Sequence, residues 1–173
     1  MIRFALMILL IGNSLALEAQ NGKAPPLTLE VAAGAKPESF RVVLRNTSKA
    51  RVHVLLGYGD GRGNESLGAF SFHIIDSHSK RMDFEALGFP VAGTVKVIHK
   101  EIAPGEAWSG EIEWKSLLLK EHLENPTTAD QLPAGSYTVQ AIFQGESSRW
   151  PIGASPYWLG IVQSPSTHYV LSK

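Results

Sequence analysis

Three side chains that could bind a metal ion lie close together in this sequence: His73, Asp76 and His78. Imidazole and carboxylate groups are common zinc ligands. On a continuous strand, however, Asp76 and His78 share one face and His73 lies on the other, so only a bend near Asp76 would bring all three together. The spacing therefore favours a polar outer face, and we predict neither a metal site nor a cofactor.

The Gly-rich segment 57–68 could in principle hold a phosphate group or a calcium ion. A dinucleotide-type phosphate loop needs G-x-G-x-x-G, but Arg62 stands where the third Gly would fall. Asp60, Asn64 and Glu65 offer oxygen ligands without the spacing of a calcium loop. An ordinary loop, in which Gly and Asn tolerate positive φ, is favoured, and ion binding stays open.

The residues that could act as nucleophiles or acids lack the patterns that enzymes use. Ser109 has Ala107 where the first Gly of a G-x-S-x-G elbow would stand. Glu111 and Glu113 share one face of a predicted strand, roughly 7 Å apart, a separation that resembles a glycosidase pair. Because the two residues lie on a single strand with no predicted cleft beside it, we favour the interpretation that they belong to a solvent-exposed face. The absence of Cys excludes thiolate chemistry, and we predict that the chain is not an enzyme.

Four residues could form a recognition surface: Arg149, Trp150, Tyr157 and Trp158. They flank or lie in an irregular Pro/Gly-rich segment, and aromatic residues with Arg are typical of binding hot spots. Flat aromatic faces also stack on sugar rings. The alternative is that this segment folds back and caps the open end of the fold, since most Trp side chains are largely buried.

The elements that would position these residues are mostly strands. Tyr137, Val139, Ala141 and Phe143 form one apolar face. They alternate with Thr138, Gln140 and Ile142, which predicts a half-buried strand after the turn at 133–135. The L-x-x-G-x-Y entry is typical of a tyrosine corner, in which the hydroxyl bonds to backbone a few residues upstream.

Further alternating segments predict a series of short strands separated by turn residues. The strongest hairpin signal joins Phe40–Val42–Leu44 to Val52–Val54–Leu56–Tyr58 around the turn at 46–48. Residues 116–125 are the only helical candidate, and 157–162 and 168–171 are predicted as closing strands. This spacing is typical of an all-β sandwich or barrel, and we predict an antiparallel sandwich with one short helix.

The N-terminus has the pattern of a secretory signal peptide. Arg3 precedes the apolar run 4–11, which is too short to span a bilayer, and small residues follow at 14–19. We predict a signal peptide over 1–19, a flexible leader over 20–26 and a single domain over 27–173, located in the periplasm or outside the cell. The chain has 16 basic and 16 acidic residues, and this balance predicts no binding of nucleic acid. No stable membrane insertion is expected after cleavage.

Two segments together carry a resemblance to a known class. The P-G-E turn 104–106 leads a strand, and the G-x-Y-x-V-x-A run 135–141 follows after a spacer. This pairing resembles the immunoglobulin-like β-sandwich domains of exported bacterial proteins and is weakly similar to the BsuPI-type proteinase inhibitor domain. The resemblance implies an all-β, non-enzymatic module, and we predict that this module binds a protein or cell-envelope partner. The alternative is a carbohydrate-binding module that uses the loop aromatics.

We expect the exported chain to begin at Leu17 or Gln20, because small residues at these spacings permit cleavage after Ala16 or Ala19. Intact-mass spectrometry of the protein from the envelope fraction measures this. A chain that retains Met1 there would contradict cleavage and indicate an N-terminal anchor.

Overall fold

β-strands make up most of the residues that the structure describes; it is a computed structural model that covers residues 26–36, 38–59, 65–86, 96–120, 127–145 and 157–172. The predicted signal peptide and all but the last residue of the leader lie outside these ranges. The strands are β1 Leu27–Ala33, β2 Ser39–Asn46, β3 Val52–Gly59, β4 Glu65–Ser66, β5 Phe70–Ile75, β6 Arg81–Ala86, β7 Lys96–Ile102, β8 Ala107–Glu113, β9 Leu117–Leu119, β10 Gly135–Gln144, β11 Ile161–Gln163 and β12 Thr167–Leu171. Two short 3₁₀ helices cover Trp114–Ser116 and Ala129–Gln131.

The strands form three antiparallel sheets, which we name by their central strands. The β2 sheet has the order β1-β2-β8, and the β3 sheet has the order β4-β3-β7. The β10 sheet has the order β11-β10-β5-β6-β9, and β12 also pairs with β10. This arrangement confirms the predicted all-β fold.

The core lies between the β2 sheet and the β10 sheet. Phe40 of β2 stacks on Phe72 of β5 with ring centroids 5.2 Å apart, and it contacts Trp114 at 4.9 Å. All three rings are almost completely buried. Such aromatic pairs contribute beyond the area that they bury, so these contacts tie the two layers of the sandwich together.

Strand β10 has the predicted face and the predicted tyrosine corner. Tyr137, Val139, Ala141 and Phe143 are all buried, as the alternation indicates. The Tyr137 hydroxyl donates a hydrogen bond of 2.7 Å to the carbonyl of Pro133, four residues upstream. Burial raises the pKa of this hydroxyl, so it remains a donor at neutral pH.

The predicted hairpin between β2 and β3 is wrong. β2 pairs with β1 and β8, whereas β3 pairs with β4 and β7, so the chain passes from one sheet to another at this point. The connection from β7 to β8 makes the reverse passage beside it. The pairs Arg45–Ala107 and Val52–Ile102 flank the two crossings, which therefore form one bent two-stranded ribbon.

Asn46 occupies the centre of both crossings and is completely buried. Its side-chain amide donates to the carbonyls of Ala50 at 2.7 Å and Ile102 at 2.8 Å. Its side-chain oxygen accepts the Ser48 backbone N–H at 2.9 Å. The Asn46 backbone adds two bonds of 2.9 Å to the β7–β8 connection, one of them from the Gly105 N–H. A single side chain thus replaces the ladder bonds that both chain segments lose as they leave their sheets.

The only predicted helix, over residues 116–125, is wrong over the part that the structure describes. Leu117–Leu119 form β9, which pairs with β6 through Leu117 opposite Ala86. Leu117 is completely buried, so the extended conformation satisfies burial and the ladder bonds together. Residues 121–126 lie outside the description. Within the described ranges, no helix is long and apolar enough to cross a membrane.

β3 departs from the predicted alternation at a β-bulge between Leu55 and Gly57. Because the bulge adds one residue to the strand, Leu55 and Leu56 are both buried and Tyr58 is only half-buried. A Cβ at Gly57 would lie 1.8 Å from the Ser66 carbonyl oxygen, so only Gly permits this close approach.

The outermost strand beside β10 is interrupted between β11 and β12. The Ser164 hydroxyl accepts the Ala141 N–H at 2.9 Å, and the Ser164 N–H donates to the Ala141 carbonyl at the same distance. Pro165 follows and has no N–H to offer. β11 and β12 are therefore two short pieces of one edge, separated by a Ser-Pro break.

We expect Asn46→Ala to lower the free energy of unfolding by about 2–4 kcal/mol, because it takes the side-chain donor from the buried Ile102 carbonyl and removes the bonds to Ser48 and Ala50. Urea denaturation measures the change. Thr47→Ala is the matched control, since Thr47 is exposed and its hydroxyl makes one long bond of 3.3 Å. Equal midpoints for the two variants would contradict the role assigned to Asn46.

Candidate binding surface at residues 157–161

Two of the four residues predicted to form a recognition surface, Tyr157 and Trp158, are described by the structure. Both are half-buried. The Tyr157 ring lies 6.2 Å from the imidazole of His99 on β7. Arg149 and Trp150 lie outside the described residues, so their prediction stays a prediction.

Trp158 joins the β3 sheet to the β10 sheet. Its ring stacks on Phe143 of β10 with centroids 5.9 Å apart and planes 12° apart. Its backbone N–H donates to the His53 carbonyl of β3 at 2.7 Å. A Cβ at Gly160 would lie 2.5 Å from the indole, so Gly is needed there. Trp158 therefore caps the space between the β3 sheet and the β10 sheet. Capping was one of the two arrangements considered for this segment.

Two large aliphatic side chains next to Trp158 are exposed to solvent. Leu159 is 62% exposed and Ile161 is 43% exposed, and we call these two residues the 159–161 patch. Ile161 pairs with Gln144 of β10, while Val162 turns into the core. Half-buried Ile142 is two residues from Gln144 on β10, which makes it a diagonal neighbour of Ile161.

The 159–161 patch did not emerge from the sequence analysis, which predicted residues 157–162 as one closing strand. The signal was present in the alternation, because inward Val162 requires outward Ile161. The strand itself begins only at Ile161, and residues 157–160 have no regular secondary structure. Bonds to two sheets hold this irregular segment, including one of 2.8 Å from the Gly145 N–H to the Gly160 carbonyl.

His73 and Asp76, two of the three residues considered as metal ligands, are bonded to other residues. Nδ1 of His73 lies 2.7 Å from Oδ1 of Asp83, and Arg81 donates to the same carboxylate at 2.7 Å. Arg81, with His73, lowers the pKa of Asp83. Asp76 accepts the N–H groups of His78 and Lys80 in the β5–β6 turn. Among the described residues, no group of three such side chains could hold a metal ion.

Neighbouring donors stabilise the charged forms of both Glu111 and Glu113. Lys115 and Lys36 donate to Glu113 at 2.8 and 2.9 Å and lower its pKa to about 2. The Ala35 N–H lowers the pKa of Glu111. A glycosidase needs one carboxyl group with a raised pKa to protonate the leaving oxygen. Both pKa values here are lowered, so this pair offers no general acid.

Asp60 and Asn64, two of the three residues considered as ion ligands, lie outside the described residues, whereas Glu65 begins β4 and pairs with Gly59. The described ends of the Gly-rich segment are the last strand residues of β3 and the short strand β4. The prediction of an ordinary loop there stays a prediction.

Comparison with known proteins adds no family assignment. No family model matches the chain, and no curated protein matches it at a significant level.

We expect Trp158→Ala to lower the free energy of unfolding by about 3 kcal/mol, because it empties the space over Phe143 between two sheets. Leu159→Ala, the adjacent control, should change stability by less than about 0.5 kcal/mol, since Leu159 is exposed. Thermal melts of both variants measure the difference. A melting temperature for Trp158→Ala equal to that of the control would contradict the capping role.

Proposed function

We propose that this chain is an exported, non-catalytic, immunoglobulin-like module that binds a protein partner of the cell envelope. The observation that carries the proposal is the exposed 159–161 patch next to packed Trp158. The proposal places the partner against the patch and the preceding segment, which contains predicted binding residues Arg149 and Trp150.

The strand order supports an immunoglobulin-like assignment. The order β1-β2-β8 corresponds to A-B-E of that fold, and the order from β11 and β12 through β10 and β5 to β6 corresponds to G-F-C-C′. β10 then takes the place of strand F, where the tyrosine corner is found, and Tyr137 forms such a corner. The P-G-E turn, one of the two segments that carry the similarity to the BsuPI-type domain, includes Gly105 with φ of 76°.

The chemistry of the patch favours a protein partner over a sugar. Burial of Leu and Ile side chains stabilises a complex mainly by removing apolar surface from water, at about 25 cal/mol per Å². A protein surface offers the apolar area for such a contact. A carbohydrate-binding module instead needs exposed aromatic faces. One face of the Trp158 ring is covered by Phe143. The structure of the segment thus supports the first of the two functions predicted from the sequence.

The backbone around the patch also favours binding. The bonds of Trp158 and Gly160 to His53 and Gly145 fix the chain on both sides of Leu159. A fixed segment loses little conformational entropy when a partner binds, so more of the gain from burying Leu159 and Ile161 remains as affinity.

We expect a photo-reactive benzoylphenylalanine at position 159 of the full chain to form a discrete protein adduct in intact cells. The patch would place this position at the centre of the interface. The same group at Thr28, an exposed position on β1, is the control and should give no such adduct. Ile161→Asp should reduce the adduct at position 159 at least about tenfold, because it buries a charge in the interface.

Identical adducts from positions 159 and 28, or no adduct from 159, would contradict the proposal. Affinity electrophoresis in envelope polysaccharide tests the carbohydrate alternative separately. Retardation that Tyr157→Ala abolishes would favour the carbohydrate-binding module.

A further inference from the structure

An open hollow of about 450 Å³ lies beside the turn between β1 and β2. Most of its lining is backbone and small side chains, so it has room for a ligand group. The lining residues are Ala33, Gly34, Ala35, Arg41, Ser109, Gly110 and Glu111.

Arg41 supplies the positive charge of this hollow. It projects from β2 and is exposed. Within the described ranges its guanidinium makes no hydrogen bond or ion pair. The other described arginines differ: Arg45 donates to the Gly105 carbonyl, and Arg51 and Arg81 pair with carboxylates. Five N–H donors of Arg41 are therefore available to a ligand.

Glu111, the acid opposite Arg41, bonds to residues other than Arg41. Glu111 pairs directly with Arg41 in the β2–β8 ladder, yet its carboxylate accepts the Ala35 N–H and the Ser39 hydroxyl, the latter at 3.1 Å. A Cβ at Gly34 would lie 2.5 Å from Oε1 of Glu111, so Gly34 makes this approach possible. Glu111 thus closes the β1–β2 turn and leaves the guanidinium of Arg41 unpaired.

Glu113 lies diagonal to Arg41 on β8 and pairs with Lys36 and Lys115. Glu30 is the other acid near Arg41. It pairs with Val43, two residues from Arg41 on β2, so it is the diagonal neighbour on β1. Its carboxylate makes no ion pair with Arg41. The negative charge of Glu30 opposes an anionic ligand, and this gives the site a residue whose neutralisation should strengthen binding.

We propose that this hollow binds a carboxylate group, with Arg41 as the bidentate donor and the Ser109 hydroxyl as a further donor. A planar guanidinium fork matches the two oxygens of a carboxylate. Ser109 is exposed on the same face of the sheet, at the diagonal position on β8. The site is separate from the 159–161 patch, and it explains why the ladder partner of Arg41 is bound to the turn instead.

Two sources could supply the carboxylate: the terminus of a peptide and an acidic sugar. We therefore expect saturable amide shifts around Gly34 and Gly110 in ¹⁵N NMR titrations with N-acetylglycine or with glucuronate, with a Kd of about 1–10 mM. The probe that binds more tightly identifies the source. The neutral analogues N-acetylglycinamide and methyl glucoside should cause no saturable shift.

Arg41→Ala should raise the Kd at least about tenfold, whereas Arg45→Ala, four residues along the same face, should leave it unchanged. Glu30→Gln should lower the Kd at low salt, because it removes a repelling charge. Thermal melts establish that each variant is folded, and Arg41→Gln replaces Arg41→Ala if the latter is not. Saturation by neither acid below about 50 mM, or equal Kd values for the Arg41 and Arg45 variants, would overturn the proposal.

Discussion

The buried side chain of Asn46 is the interaction on which the architecture depends. Two chain segments leave one sheet and enter another at the same place, and each loses its ladder bonds there. Asn46 satisfies both: its amide reaches Ile102 of β7 and Ala50 before β3, while its oxygen holds Ser48. A buried polar group with all its partners is specific as well as stabilising, because no other arrangement satisfies the same atoms.

The proposed binding surface follows from this constraint. The crossing fixes where β3 lies relative to the β2 sheet, which packs on the β10 sheet through Phe40 and Phe72. Trp158 contacts both β3 and β10, since its N–H bonds to His53 and its ring packs on Phe143. Leu159 and Ile161 are exposed because Trp158 and Val162 on either side of the pair turn toward the core. The apolar patch is thus a by-product of the same packing that closes the sandwich.

Local sequence signals predicted those elements whose cause is local. The alternation in β10 and the upstream bond of Tyr137 depend on neighbouring residues, and both are confirmed. The turn at 46–48 has the same composition whether the chain returns or crosses, so the hairpin was predicted wrongly. The unpaired state of Arg41 could not be predicted, because it depends on a bond between Glu111 and Ala35, 76 residues apart.

The Ser-Pro break between β11 and β12 has a consequence for how copies of this protein behave toward one another. An unbroken outer strand would present a regular row of N–H and C=O groups, which a second copy could extend into a shared sheet. Here the row is cut at Pro165, which has no N–H, and the buried Ser164 before it uses its N–H and hydroxyl on Ala141 of β10. The break therefore limits edge-to-edge pairing of two copies, at the cost of one irregular pair in the sheet.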